Sequence, residues 1–491
     1  MEEEVYAVGI DLGTTGCKAV VADCRGQIAG QEYIEYPLIF SGGHIEQNAE
    51  LWWELSCRAV AAAVNGSAVK KENIKGICAA SQGISFVPAD SGLSPLGNAL
   101  SWLDTRAKKE AEEIKKQFGE WEMFRQTGKR TSEGYVLPKL MWLKAHKKSI
   151  YKKTHKFLMA HDFITAKMTN NCLTDHTMAG GTLLYDIAKR RWSEKIAGAA
   201  GIGIERLPAI ENSGSSAGVL SPEAAKMMDL PPGLPVAVGA QDQKAAAYFA
   251  LLGKKAATLC LGTAGAMEFI VSKPVFDKKM RLPLFPYVEE GRWTLESVIS
   301  TAGAALKWYR NTLCEGEPYE ALDEAAKKSK PGSGGVFFYP HFGMASSPHW
   351  QSGQKGAFYG LVLDTSKQDM TRSVLEGVAF QIKENLDICE TLSEKTESII
   401  AFGGGSRSPL WCQIIADVTK KTIRALPFPD AAAQGAAMLA FGERGILCGG
   451  DGGAAAPYEP DSENAKKYNE IYKSYRETEK KLLDLEREGE F

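Results

Sequence analysis

Thr258-Leu259-Cys260-Leu261-Gly262-Thr263-Ala264-Gly265-Ala266-Met267 repeats, about half a chain downstream, the pattern of Gly9-Ile10-Asp11-Leu12-Gly13-Thr14-Thr15-Gly16-Cys17-Lys18. Each copy reads strand, Leu-Gly-Thr-x-Gly, strand, with two glycines around a Thr at the tip. Glycine lets the backbone come close to a phosphate and aim its N–H groups at it, and the Thr hydroxyl adds a donor. One such hairpin alone favours an ordinary tight turn. Two of them, each opening a half of the chain, point to a pair of phosphate clamps facing one cleft. The halves divide as 1–250 and 251–491, just after the Ala-rich helix that follows Leu230-Pro231-Pro232-Gly233-Leu234-Pro235, the strand Val236 to Ala240 and Gln241-Asp242-Gln243.

Outward from the first hairpin, short apolar runs and turns alternate as a β-meander through Gln27. A helix is expected over Ala49 to Val64, a strand over Ile74 to Ala80, and a second apolar run over Ile84 to Pro88. Ala107, Ala111, Ile114 and Phe118 form the apolar stripe of an amphipathic helix. Interleaved strands and helices make the class α/β. Gly449 to Pro460 reads as a loop. Tyr468, Ile471, Tyr472, Tyr475 and Leu482 form one face of a terminal helix, and an aromatic stripe at that spacing signals packing rather than a ligand.

At 491 residues and 44% hydrophobic content, two domains with cores of their own are the expectation. A formal net charge of −2 gives no reason to expect nucleic acid or an anionic membrane as partner. The ten cysteines are scattered singly, without zinc or redox spacing, and read as reduced apolar residues. The start Met1-Glu2-Glu3-Glu4 lacks a secretory pattern, and no apolar run reaches the ~20 residues of a membrane span, so the cytoplasm is the expected compartment.

No Gly-x-x-x-x-Gly-Lys-Ser/Thr occurs, which argues against a P-loop enzyme. A third glycine cluster, Gly403-Gly404-Gly405, follows the apolar run Ile399 to Phe402. Ser408-Pro409 then offers an N-cap and first position for a helix over Leu410 to Thr419, a combination that fits a nucleoside pocket. Asp242 stands between a strand and a helix, where a carboxylate either caps the helix or takes the proton of an attacking hydroxyl. Asp11, in the first hairpin, is either a surface turn residue or a holder of Mg²⁺ through its water shell. Trp102-Leu103-Asp104-Thr105-Arg106 has two readings as well. Asp104 caps the following helix, or it joins Trp102 in holding a sugar.

Over essentially its whole length the sequence resembles the FGGY carbohydrate kinases, which include xylulokinases, ribulokinases, gluconate kinases and glycerol kinases. Gly134-Tyr135-Val136-Leu137-Pro138-Lys139-Leu140-Met141-Trp142-Leu143 is similar to the first family signature. Gly356-Ala357-Phe358-Tyr359-Gly360-Leu361 with Ser373-Val374-Leu375-Glu376-Gly377 is similar to the second. The resemblance implies two actin-like (RNase H-like) ATPase domains with ATP and Mg²⁺ in the cleft between them. It implies Asp11, Gly13, Thr14, Thr15, Lys18, Gly262 and Thr263 at the phosphates, Gly404 and Gly405 against the adenosine, and Asp242 as catalytic base. Ile45-Glu46-Gln47-Asn48 looks like the family's substrate-side loop, its role left open. Gln82 fits the pattern, but Gly83 and Ile84 stand where xylulokinases carry Met-His and glycerol kinases Arg-Glu. His341 to Pro348 likewise lacks the Gly-Glu-Arg of many members.

The expectation is a kinase passing the ATP γ-phosphate to a hydroxyl of an open-chain sugar, best a five-carbon ketose, with a polyol or an aldonate as alternatives. Gln82, Trp102, Asp104, Asp242 and Gln243 are the substrate-side candidates. From another class, an actin-like nucleotide switch would use the same clamps, but it has no need of two sugar-kinase signatures. The expected partner is the small-molecule sugar, and dimerisation is what the family resemblance suggests.

Overall fold

The computed structural model describes residues 5–427, 431–442 and 457–487. Two six-stranded sheets carry the architecture. In the first, Tyr6–Leu12, Gly16–Asp23 and Ile28–Glu35 form the expected antiparallel meander. Ile74–Ser81 then adds parallel to Tyr6–Leu12, Pro235–Gln241 parallel to Ile74–Ser81, and Ser216–Val219 closes the edge. The second sheet repeats the scheme: Ala257–Leu261, Gly265–Val271 and Trp293–Ile299 form the meander, and Ser398–Phe402 and Thr422–Ala425 add in parallel. Leu284–Pro286 extends the meander side.

Side-chain pattern follows position in the sheet. The interior strand Ile74–Ser81 has seven of its eight residues buried and reads as a near-continuous run of small apolar residues, as a strand covered on both faces must. The outer strand Ile28–Glu35 alternates half-buried and exposed residues, which is the signature of one solvated face. A third, antiparallel sheet of Ile39–Ser41, His44–Gln47, Ala99–Leu100, Phe86–Ala89 and Lys156–Met159 carries the segments beside Trp102.

Two alanine-rich helices join the halves. Asp242–Leu251 leaves the first sheet, and Ala431–Gly442, although it belongs to the second half by sequence, packs on the first sheet and on Asp242–Leu251. A Cβ on Gly9 would lie 1.9 Å from the Ala433 carbonyl oxygen, and one on Gly435 would lie 2.0 Å from that of Ala245. Glycine and alanine are there because the backbones nearly touch.

The terminal helix Ser462–Arg487 buries Tyr468 and Tyr475. The Tyr468 hydroxyl donates to Glu376 at 2.6 Å and receives a bond from Arg372 at 2.7 Å, so its aromatic stripe is packing, as read. The expected loop over Gly449 to Pro460 lies, up to residue 456, outside the described residues. Eight cysteines carry free thiols, whereas Cys24 is disulfide-bonded, which corrects the expectation of reduced thiols throughout. Among the described residues no helix is long and apolar enough to cross a membrane.

Candidate active site

Three neighbouring parallel strands end at one level. Leu12 stands opposite Ser81, and Ser81 opposite Gln241. Their next residues therefore project from one edge, the carboxyl end where open α/β sheets place their ligands. They are Gly13 of the first hairpin, Gln82 and Asp242.

The first hairpin is a tight turn in which Gly13 N–H donates to Gly16 O at 2.9 Å. Tyr36 braces it from below, its hydroxyl donating to the Gly13 carbonyl and its N–H to Thr15 O at 3.0 Å. With these carbonyls engaged on the inner side, Thr15 is left exposed at the tip. The second hairpin is tied to the start of the helix Gly303–Leu313, whose Gly303 N–H donates to Gly262 O at 2.9 Å and Ala304 N–H to Thr263 O at 3.0 Å. Gly403, with a positive φ of 90°, lies against Leu261 and Gly262. Beside it, Gly404 has open space where a Cβ would stand, which leaves room for a flat ligand. Ser408 caps the helix Pro409–Thr419 through its Oγ, which accepts from Trp411 N–H at 3.0 Å, as the sequence implied.

Cys260 stands at the root of the second hairpin, in Ala257–Leu261. Burial, then the negative charges of Asp242 and Asp11, pushes its thiol up to about 12. The charges of Asp242 and of Asp11, on the first hairpin strand, thus both reach the second hairpin strand. Asp242 opens the helix Asp242–Leu251 rather than capping it, since Gln241 holds the cap position. Its Oδ1 accepts from Gln243 N–H at 2.6 Å. Removal from water pushes its carboxyl up to about 6, against the opposing pull of that bond and of Lys244.

Trp102, a substrate-side candidate, is 43% exposed, yet its Nε1–H donates to Thr14 Oγ1 at 3.0 Å and its N–H to Ser85 Oγ at 3.0 Å. The indole is thereby fixed at the first hairpin with part of its surface open to solvent. Gln82 is buried, and its Nε2 donates to Gln47 Oε1 at 3.0 Å, while Gln47 Nε2 donates to Thr14 O at 2.8 Å. Gln82 Oε1 is buried without a hydrogen-bond partner and remains an acceptor for a hydroxyl. Ile84, with a left-handed φ of 54°, packs against Met178 and Gly181. A β-branched residue in that conformation is strained, and such strain concentrates at functional sites.

Asp104 is a different case. It is fully buried, and its carboxylate already accepts from Ile45 N–H at 2.6 Å and from Arg106 through its backbone N–H at 3.0 Å and its guanidinium at 2.8 Å. The helix Lys108–Phe118 is capped at Ala107, so Asp104 is not its cap either. What it does is fasten the Trp102 segment to the strand His44–Gln47, with Arg106 reaching on to Glu46 at 2.8 Å. Buried Lys139 of the first signature holds the same segment, its ammonium donating to Ser101 O at 2.6 Å and Gly134 O at 2.7 Å. Among the described residues, the one His and carboxylate group with metal-ligand spacing is His349, Glu384 and Glu479, and Arg476 already bridges its carboxylates.

Sequence reading named Gln47 and Lys139 only within the loop and signature that carry the resemblance, without a role of their own, and passed over Tyr36 and the buried trio Lys244, Glu268 and Glu296. A lysine in the run Lys244-Ala245-Ala246-Ala247 was the one available signal, because charge amid alanines on a buried helix needs a partner.

Residues 6–249 match the N-terminal domain of the FGGY family of carbohydrate kinases, and 257–442 its C-terminal domain. The chain is 28% identical to the xylulose kinase of Bacillus subtilis (strain 168), over 98% of each chain. It is 30% identical to that of Klebsiella pneumoniae, over 84% of each. The crystal structure of gluconate kinase from Lactobacillus acidophilus superposes with a TM-score of 0.90 at 24% identity, over 98% of both chains.

Proposed function

We propose, since this chain belongs to the FGGY family of carbohydrate kinases and is therefore a sugar kinase, that it transfers the γ-phosphate of ATP to a hydroxyl of an open-chain five-carbon ketose resembling xylulose. The observation that carries this reading is the common level of Leu12, Ser81 and Gln241, which brings a phosphate hairpin, Gln82 and Asp242 to one edge.

In the reaction, the sugar oxygen bonds to the γ-phosphorus while the bond from that phosphorus to the β-bridging oxygen breaks, and ADP leaves. The hydroxyl proton passes to the Asp242 carboxylate, which needs only to orient the alcohol and accept the proton late. The hairpin N–H groups, with Thr14, Thr15, Lys18 and Thr263, hold the phosphates. Gly404 and Gly405 receive the adenosine, and Trp102, Gln82 and Gln243 hold the sugar. Asp11 has the hard oxygen donors that suit Mg²⁺ through water, and the ion when bound neutralises phosphate charge. Asp104 serves by positioning the Trp102 segment. The dependence on ATP agrees with work in the cytoplasm.

Gln82, Gly83, Ile84, Trp102 and Gln243 bring no cation to the sugar, so a neutral ketose suits them better than an aldonate carboxylate. An ADP-release screen over pentuloses, hexuloses, aldonates and polyols tests this. A pentulose is expected to give the highest kcat/KM, and EDTA to abolish turnover. Preference for an aldonate or polyol would overturn the substrate assignment, and ATP turnover indifferent to every sugar would overturn the kinase reading. In the same assay Gln82→Leu is expected to raise the sugar KM about tenfold with the ATP KM unchanged, as one lost hydrogen bond to a hydroxyl would do.

A further inference from the structure

Lys244 lies two residues beyond Asp242 on the same helix and is fully buried. Its ammonium meets two carboxylates of the second sheet, Glu268 Oε1 at 3.0 Å and Glu296 at closer range. These stand directly opposite each other on Gly265–Val271 and Trp293–Ile299, and Thr294 Oγ1 donates to Glu268 Oε2 at 2.7 Å. The Phe285 ring centre is 3.8 Å from the Lys244 ammonium and 3.4 Å from that of Lys129, which is also buried.

Buried ion clusters are poor devices for stability, because desolvation offsets most of their attraction, but they are directional and specify register. The register here matters. Gly265–Val271 is the outgoing arm of the second phosphate hairpin, while Pro235–Gln241, which delivers Asp242, lies two strands from the first. We propose that Lys244 is a positioning residue for phosphoryl transfer: with Glu268 and Glu296 it locks the helix start bearing Asp242 to the second clamp and sets the field in which Asp242 holds its proton. This rests on Asp242 being the base.

The charges facing Asp242 come from several elements. Lys244 on its own helix favours the ionised carboxylate, Glu296 opposes it, and the charges of Asp242 and Asp11 both act on Cys260 of the second hairpin strand. Lys244 and Glu296 therefore act on Asp242 with opposite sign, which a merely structural cluster would not reveal.

The test is the pH profile of kcat for Lys244→Met, Lys244→Arg, Glu296→Gln and Asp242→Asn. Lys244→Met is expected to lower kcat about 10- to 100-fold, the scale of a small misplacement of a reacting group, with both KM values within about threefold. It should move the acid limb to higher pH, Glu296→Gln should move it to lower pH, and Lys244→Arg should return it toward the wild-type position. Should Lys244→Met not fold, Lys244→Met/Glu268→Gln removes one orphaned carboxylate and is read in the same way; should that also fail, the limb of Glu296→Gln decides. A folded variant whose limb stays at the wild-type pH, or limbs moving in the same direction, would overturn the proposal. Retained turnover in Asp242→Asn would instead sink the base assignment itself.

Discussion

Asp242→Asn is expected to lower kcat by about two to four powers of ten, the span for losing a positioned proton acceptor, and to leave the KM for ATP within a few-fold. The amide keeps the shape and the bond from Gln243 N–H, so the helix start and both hairpins stay in place. What is lost is the capacity to take a proton. In the unsubstituted enzyme the carboxyl is pushed up to about 6, chiefly by removal from water, so it is mostly ionised at pH 7. With Asp242 as the proposed base, kcat is expected to decline as pH falls through that value and the carboxylate is protonated, and to be flat at higher pH. In Asp242→Asn this limb should vanish from the residual rate. Steady-state kinetics between pH 5 and 8 check both points, and a residual rate that keeps the limb would reassign the titration to another group.

Gly435→Ala should destabilise the protein by about 1–3 kcal/mol and reduce turnover, although the exchange raises helix propensity by about 1 kcal/mol. The added methyl would stand 2.0 Å from the Ala245 carbonyl oxygen, and its neighbour there is backbone rather than a side chain that can swing away. Ala431–Gly442 and Asp242–Leu251 must then separate, and the second of these begins with Asp242. Denaturant midpoints followed by tryptophan fluorescence, beside kcat, measure the effect. A variant as stable and as active as the parent would mean that the two helices do not meet at this distance.

Much of the fold was legible because its signals are local. The Leu-Gly-Thr-x-Gly tips demand tight turns whatever surrounds them, and the observed strands flank both. Ser408-Pro409 marked a helix start through a cap and a fixed φ, and the helix begins there. Asp104 shows where local reading stopped. The types Trp, Asp and Arg are the same in a sugar cradle and in a structural ion pair, and only the arrival of Ile45 N–H and Arg106 at its carboxylate separates the two. Gln47 was quoted with its loop but given no role for the same reason, since its bonds to Thr14 and Gln82 join residues far apart in sequence.

The sequence by itself determined the duplication, the α/β class, the two Leu-Gly-Thr turns and the family, because each is written in short patterns of residue type and spacing. Tertiary structure alone decided that Ala431–Gly442 crosses to the first sheet, that Asp104 is consumed by its neighbours, and that Lys244 meets Glu268 and Glu296 behind Asp242. The physical reason is that turns and caps are satisfied within a few residues, whereas a buried charge or a bare backbone contact is satisfied by whichever distant element the fold brings against it.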